Sequence, residues 1–343
     1  MEIGIYTFAD VPAGHPELAG QRLRNLVEEM KLADEVGLDV FAVGEHHRAD
    51  YAVSAPPVAL AAGAAVTNRI KLSSAVTVLS SDDPVRAYQQ FATVDGISNG
   101  RAEIMMGRGS FIESYPLFGY NLDDYDELFA EKLDLMIKLN EGERVTWSGR
   151  LRPSLNNAGI YPRPEQKKIP LWIAVGGTPQ SVVRAASLDI PMALAIIGGD
   201  PRRFEPFFKL YRESHAKFGH KPESIQLSLN MHGFVSDTTA NAKRIYGAAQ
   251  MEVMNRIGKE RGWPPQGMDH FERSTQDDGN LIVGDAARVT DRILQLHEMF
   301  KNTRILIQMA IGAVPHAQQL KAIEILGSKV APAVKKALAD RAK

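Results

Sequence analysis

Glu45-His46-His47 sets one carboxylate and two adjacent imidazoles directly after the apolar run Val40-Phe41-Ala42-Val43. A run that is apolar at every position suits a strand covered on both faces in a parallel sheet. A titratable cluster at the C-terminal end of such a strand is where α/β barrels carry chemistry. The bland reading stands beside it: three strand-end polar residues that cap a helix or solvate a loop.

Two further stretches have the residue types for ligand binding. In Ile173-Ala174-Val175-Gly176-Gly177-Thr178-Pro179-Gln180-Ser181 a strand ends in two glycines, and a helix begins with Thr178 as N-cap and Pro179 at its first position. Free N–H groups at a helix start, reached past glycines without side chains, bind phosphate. Ser181, one turn in, adds a hydroxyl; the same stretch is also an ordinary helix start. In Gly107-Arg108-Gly109-Ser110, Arg108 stands between glycines just past an apolar run. A guanidinium there suits a phosphate or a planar ring, or is a surface arginine in a turn.

A metal centre finds no partners. The histidine spacing is not that of a helical two-histidine motif, and Asp82-Asp83 reads as a helix start. Asn230 and His232 are two apart on one strand and share a face, more often as core or rim than as ligands. No G-x-G-x-x-G follows a strand, so a built-in nicotinamide site of the Rossmann type is not expected.

The elements that must position these residues alternate along the chain. Strand signals fall at Ile3–Phe8, Leu38–Val43, Ile70–Leu79, Ala102–Met106, Leu171–Val175, Pro191–Ile197, Ile225–Val235 and Arg304–Met309. Helical patterns separate them: about Glu17 to Val36, closed by Gly37; Pro56–Val66; a helix capped by Asp83 with Pro84 in its first turn; then Asp123–Asn140, Pro179–Leu188, Pro201–Phe218, Thr238–Lys259, Asp285–Phe300 and His316–Leu338. This alternation predicts an α/β fold, a (β/α)8 TIM barrel with insertions, ahead of an open doubly wound sheet. One domain over residues 1–343 is expected. A hairpin insertion near 143–170 turns around Ser148-Gly149. The polar segment Gly262–Asn280 is expected near the barrel mouth as a lid or as disorder.

Composition narrows the classes. The 343 residues carry 40 basic and 41 acidic side chains, net charge -1, which points to no nucleic-acid or membrane-surface partner. Zero cysteines exclude disulfides, thiolate metal sites and a cysteine nucleophile. With no signal peptide at Met1-Glu2-Ile3 and no apolar run long enough to span a bilayer, a cytoplasmic protein is expected.

Taken together, Glu45-His46-His47, Ala75-Val76-Thr77-Val78-Leu79, Asp83-Pro84-Val85-Arg86, Ser98-Asn99-Gly100-Arg101, Gly107-Arg108-Gly109, Pro170-Leu171-Trp172 and Val283-Gly284-Asp285 resemble the luciferase-like flavin-dependent monooxygenases, relatives of bacterial luciferase. The resemblance covers essentially the whole chain. It implies an interrupted (β/α)8 barrel with flavin at the C-terminal mouth. By similarity His46 and His47 would face the isoalloxazine. Ala75 and Val76 would lie beneath it, joined by a non-proline cis peptide bond. Arg108, Gly177, Thr178 and Ser181 would hold the phosphate. Gly177 stands where luciferase has an acidic residue, so its contact would be through the backbone.

The implied reaction uses reduced FMN and O2, forms a flavin C4a-peroxide, and oxygenates a small organic substrate. His46 is then the first candidate for acid–base work, because imidazole titrates near neutral pH; His47 and Glu45 would orient it. A separate NAD(P)H:flavin reductase would supply the hydride, and the family usually forms homodimers. Three alternatives stay open: an F420-dependent oxidoreductase on the same barrel, a non-catalytic flavin-binding protein, and a barrel hydrolase without flavin.

Overall fold

The computed structural model describes residues 1–109 and 111–341; Ser110, from the Gly107–Ser110 run, lies outside the described residues. The strands are β1 Glu2–Thr7, β2 Val40–Val43, β3 Lys71–Ser74, β4 Thr77–Val78, β5 Ala102–Gly107, β6 Arg144–Trp147, β7 Leu155–Gly159, β8 Leu171–Val175, β9 Met192–Ile196, β10 Leu227–Val235, β11 Leu281–Gly284 and β12 Arg304–Gln308. The helices are α1 Ala19–Glu35, α2 Pro56–Ala64, α3 Pro84–Ile97, α4 Ser114–Leu117, α5 Tyr125–Glu141, α6 Pro179–Ser187, α7 Glu205–Lys217, α8 Thr239–Glu260, α9 Met268–Ser274, α10 Ala286–Phe300, α11 His316–Ile325 and α12 Ala331–Arg341.

The main sheet closes on itself. Its parallel ladder runs β1, β2, β3 with β4, β5, β8, β9, β10, β12 and back to β1. The chain is therefore a closed eight-stranded parallel barrel flanked by helices, the predicted (β/α)8 architecture. Every residue of β2 and β10 is buried, because a barrel strand is covered inside by side chains and outside by helices. Val40, Ala42, Trp172 and Leu306 fill the barrel interior. Beneath them Arg304 forms a two-bond pair with Glu103, at 2.6 and 3.0 Å, and reaches Glu2 at 2.7 Å. Its guanidinium lies 4.2 Å from the Trp172 ring centre. This filling leaves the C-terminal mouth as the open end.

Several elements depart from the expected pattern. Strand three is two pieces: β3 and β4 both pair with β5, but the register slips by one residue between them. The extra residue falls at Ser74–Val76, where the peptide bond between Ala75 and Val76 is cis, as the resemblance implied. A ninth parallel strand, β11, pairs with the end of β10; its four residues are too short for a periodic signal. The hairpin is present, but β6 and β7 flank Ser148–Ser154, a connection longer than a turn at Ser148-Gly149. The segment Gly262–Asn280 contains α9, whose Phe271 is fully buried. Asp83 caps α3 as expected, accepting from the N–H groups of Val85 and Arg86. Among the described residues no helix is long and apolar enough to cross a membrane.

Candidate active site

Gly44 ends β2 against crowded neighbours. A Cβ there would meet the Phe8 ring at 2.2 Å and the Ala75 carbonyl at 2.7 Å, so only glycine lets strands one, two and three converge. The next three residues then diverge. The Glu45 carboxylate turns to strand three, where it accepts from Val78 N–H at 2.9 Å, and its other oxygen meets His47 Nε2 at 2.9 Å. His47 lies edge-on to Phe118, ring centres 5.0 Å apart. The hydrogen bond to Glu45 raises its pKa above the ordinary value against the opposing effect of burial.

His46 instead enters an aromatic box, with ring centres 4.6 Å from Phe8, 4.5 Å from Tyr51 and 5.0 Å from Phe111. Its Nδ1 is 3.4 Å from Glu113 Oε1, and its Nε2 is buried without a hydrogen-bond partner. Burial works to raise the Glu113 carboxyl; the hydrogen bond to His46 and backbone N–H groups outweigh it and hold the carboxyl below its usual range. Of the three polar residues, Glu45 and His46 line the mouth cavity; His47 does not. Of the two imidazoles expected at the flavin, His46 lines this cavity and His47 packs behind it against Glu45 and Phe118. Glu45 accepts from both neighbours, so it holds strand three and His47 in place.

The cavity measures about 300 Å³, within the range of small-molecule sites. Ala75 and Val76 line it, and so do Gly107, Ala174, Gly176, Ala193 and Ala195 from the neighbouring strands. Small side chains from adjacent strands give this part of the cavity an apolar lining. Asn230 and His232, weighed above as core or rim, line this same cavity. Burial drives the His232 imidazole down to about 4, with the neighbouring Gln308 side chain working in the opposite direction. Asp10 is also on the wall; burial lifts its carboxyl to about 6, opposed by the Gly312 N–H bond and by Arg22 and Arg256.

At the cavity's edge the ends of β5 and β8 bring Arg108 to the start of α6. Its Nη2 is 3.3 Å from Ser181 Oγ and 3.5 Å from Thr178 Oγ1, and Nη1 pairs with Asp126. Thr178 occupies the N-cap position, but its hydroxyl donates to Ser181 Oγ at 2.8 Å instead of capping the helix. Gly177 has φ +109°, a conformation that side-chain-bearing residues rarely adopt. Space next to Gly176 is open, with nothing within 4 Å of a Cβ built there. Of the four residues expected to hold a phosphate, Arg108, Thr178 and Ser181 thus meet through their side chains, and Gly177 adjoins Thr178 in the chain.

The sequence reading missed Phe8, Tyr51, Phe111, Glu113 and Met254 as site residues, along with Arg261 and Trp263. All but Glu113 line the cavity. They come from loops and from α8, and no local spacing marks them. Among the described residues no group of three or more His, Asp or Glu side chains is placed to hold a metal ion.

The profile of the luciferase-like monooxygenases matches residues 1–303. The N-acetyl-S-alkylcysteine monooxygenase of Bacillus subtilis (strain 168) is 30% identical over 304 residues, 84% of this chain and 87% of the relative. The oxygenating constituent of 3,6-diketocamphane monooxygenase from Pseudomonas putida, solved in complex with FMN, has a TM-score of 0.79 at 19% identity, covering 97% of this chain and 98% of its own. The coenzyme F420 dependent tetrahydromethanopterin reductase of Methanopyrus kandleri has a TM-score of 0.74 at 20% identity, covering 96% and 98%. At those identities the two solved structures establish a shared fold. The profile, spanning most of the sequence, goes further: the chain belongs to the luciferase-like monooxygenase family.

Proposed function

We propose that this protein is a flavin-dependent monooxygenase that takes reduced FMN and O2 and oxygenates a small organic substrate. The observation that carries the reading is one cavity with two complementary parts: an apolar lining at Ala75, Val76, Ala174 and Ala193, and an anion subsite of Arg108, Gly177, Thr178 and Ser181 at its edge. That pairing fits a planar ring joined to a phosphate. The open space at Gly176 and the left-handed Gly177 let backbone N–H groups approach the phosphate.

When bound, reduced flavin supplies two electrons to O2; one oxygen atom goes to the substrate and the other leaves as water. The chain's own residues do the rest. Arg108, Thr178 and Ser181 bind the phosphate by charge-assisted hydrogen bonds. Phe8, Tyr51 and Phe111 exclude water around His46. His46 would hold or move a proton inside the cavity, with Glu113 on its Nδ1. Glu45, oriented by His47, would hold strand three in place as the cavity's lining. With no dinucleotide fingerprint in the sequence, a separate NAD(P)H:flavin reductase supplies reduced FMN, and the working unit is a homodimer.

Titration with oxidised and reduced FMN, followed by absorbance and fluorescence, tests the binding step. Saturable binding, tighter for the reduced form, is expected. Oxygen uptake with a reductase and a panel of thioethers and ketones then tests turnover. Failure to bind either form of FMN refutes the proposal. Anaerobic hydride transfer with F420, without FMN-dependent oxygen uptake, replaces it with the F420 oxidoreductase reading.

A further inference from the structure

The second half of α8 crosses the barrel mouth. It packs first on Gly312, just past β12, where an added Cβ would meet Val253 Cγ2 at 2.9 Å and the Ala249 carbonyl at 3.3 Å. Further along, Arg256 lies 3.1 Å from Asp50, in the loop past β2. Glu260 then takes both terminal nitrogens of Arg48, from the same loop, at 2.9 and 2.6 Å. One helix is thus tied to two separate strand ends, which fixes its position over the mouth.

The face that α8 turns to the cavity is Val253, Met254 and Ile257. Ile257 follows Val253 by one i, i+4 step and Met254 by one i, i+3 step, so the three side chains are neighbours on the helix. Val253 is buried, while Met254 and Ile257 keep partial exposure, as side chains over open space do. Phe111 and Ile311 continue this apolar surface.

The charges around it do not favour an ionic substrate. The carboxylates of Asp10 and Glu45 line the same cavity and oppose an anion. Arg48 and Arg256 already face the carboxylates of Glu260 and Asp50. Arg261, past the end of α8, is exposed, where water and salt screen its charge. A charged group carried under α8 would lose its water and meet only hydrocarbon.

We propose that Met254 and Ile257 are specificity-determining residues for the organic substrate, and that this substrate is an uncharged molecule with an apolar chain that ends against them. Burial of the chain supplies the binding, and the two side chains set its length. The inference rests on the flavin reading, because flavin on the Ala75 and Arg108 side leaves the space under α8 for the substrate.

The test uses straight-chain methyl ketones of about four to eleven carbons and the carboxylates of the same lengths, titrated by calorimetry into protein holding oxidised FMN. Each added methylene should tighten ketone binding about three- to fourfold until the chain reaches α8, after which the gain stops. Carboxylates should bind at least about tenfold more weakly than ketones of equal length. Met254→Ala and Ile257→Ala should move the limit to longer chains by about one to three methylenes, the volume they vacate. Met254→Phe should move it to shorter chains, an opposite shift that general damage to the fold does not produce. FMN titration and ketone titration without FMN in the same preparations read the two sites separately. Loss of FMN binding with the length limit intact refutes the flavin reading and still supports the α8 wall. A limit that none of the three variants moves, a limit that the Ala and Phe variants move the same way, carboxylates that bind as tightly as ketones, or no ketone binding at all overturns the proposal.

Discussion

Replacing Glu45 by Gln keeps the side chain's volume and removes its charge. In the native site this carboxylate, 5% exposed, accepts from Val78 N–H and from His47 Nε2, both at 2.9 Å. Hydrogen bonds to a charged acceptor each stabilise by roughly 1.5–3 kcal/mol, and a neutral one by about 1 kcal/mol. Gln has one acceptor oxygen, so one contact survives in neutral form and the other is lost. The expected destabilisation is about 2 kcal/mol when His47 is protonated. The pH dependence has a definite sign. The Glu45 hydrogen bond raises the His47 pKa in the fold, so its contribution is fully present below the ordinary value of 6.5 and is lost as pH rises through the higher folded value. The Glu45→Gln penalty should therefore be larger near about pH 6 than near about pH 9. Glu113 and Asp82 also raise His47, so the variant keeps a reduced pH dependence. Urea unfolding followed by circular dichroism at both pH values measures this. Equal stability of variant and wild type at both, or a larger loss at the higher pH, would refute the assignment of Glu45 as the tie between strand three and His47.

Removing Arg304 leaves buried Glu103 with only the half-exposed Lys71, 3.4 Å away, as a charge partner; Arg304→Ala should cost about 3 kcal/mol in urea unfolding, with Arg304→Met plus Glu103→Leu recovering most of it. Burial lifts Asp10 from 3.8 to about 6, so the fold favours its proton: the native state loses stability as pH rises through that interval. Asp10→Asn should flatten this slope and stabilise the protein above it by up to about 3 kcal/mol, read from unfolding between about pH 4 and about pH 8. Arg108→Gln should weaken FMN binding by about ten- to a hundredfold and leave riboflavin, which lacks the phosphate, unaffected; equal losses for both flavins would remove Arg108 from the phosphate subsite. His46→Ala should spare flavin binding and cut turnover by about 10²–10⁴, with unchanged kinetics across pH making it a structural rim residue.

The barrel was legible in the chain because its signals are local. An apolar run such as Val40–Val43 reports two-sided burial directly, and Asp83-Pro84 and Gly37 mark helix ends through their own backbone chemistry. Residues clustered at a strand end, Glu45 to His47 and Gly176 to Ser181, were legible for the same reason. The partners of those residues were not. Whether His46 or His47 enters the cavity depends on Glu45 reaching Val78, a bond between residues 33 apart, and on an aromatic box drawn from three separate loops. The Thr178 hydroxyl looked like a helix cap by position, yet it bonds Ser181 beside Arg108, 70 residues away in the chain. Arg261 and Trp263 lie in a polar stretch with no periodicity, and only the packing of α8 against the mouth makes them cavity wall. Sequence by itself determined the barrel strands and the long helices, though not β11 or α9, because hydrophobic period and capping act over a few residues. Tertiary structure alone decided which side chains share the mouth, because closing the barrel brings together loops whose separation along the chain carries no pattern.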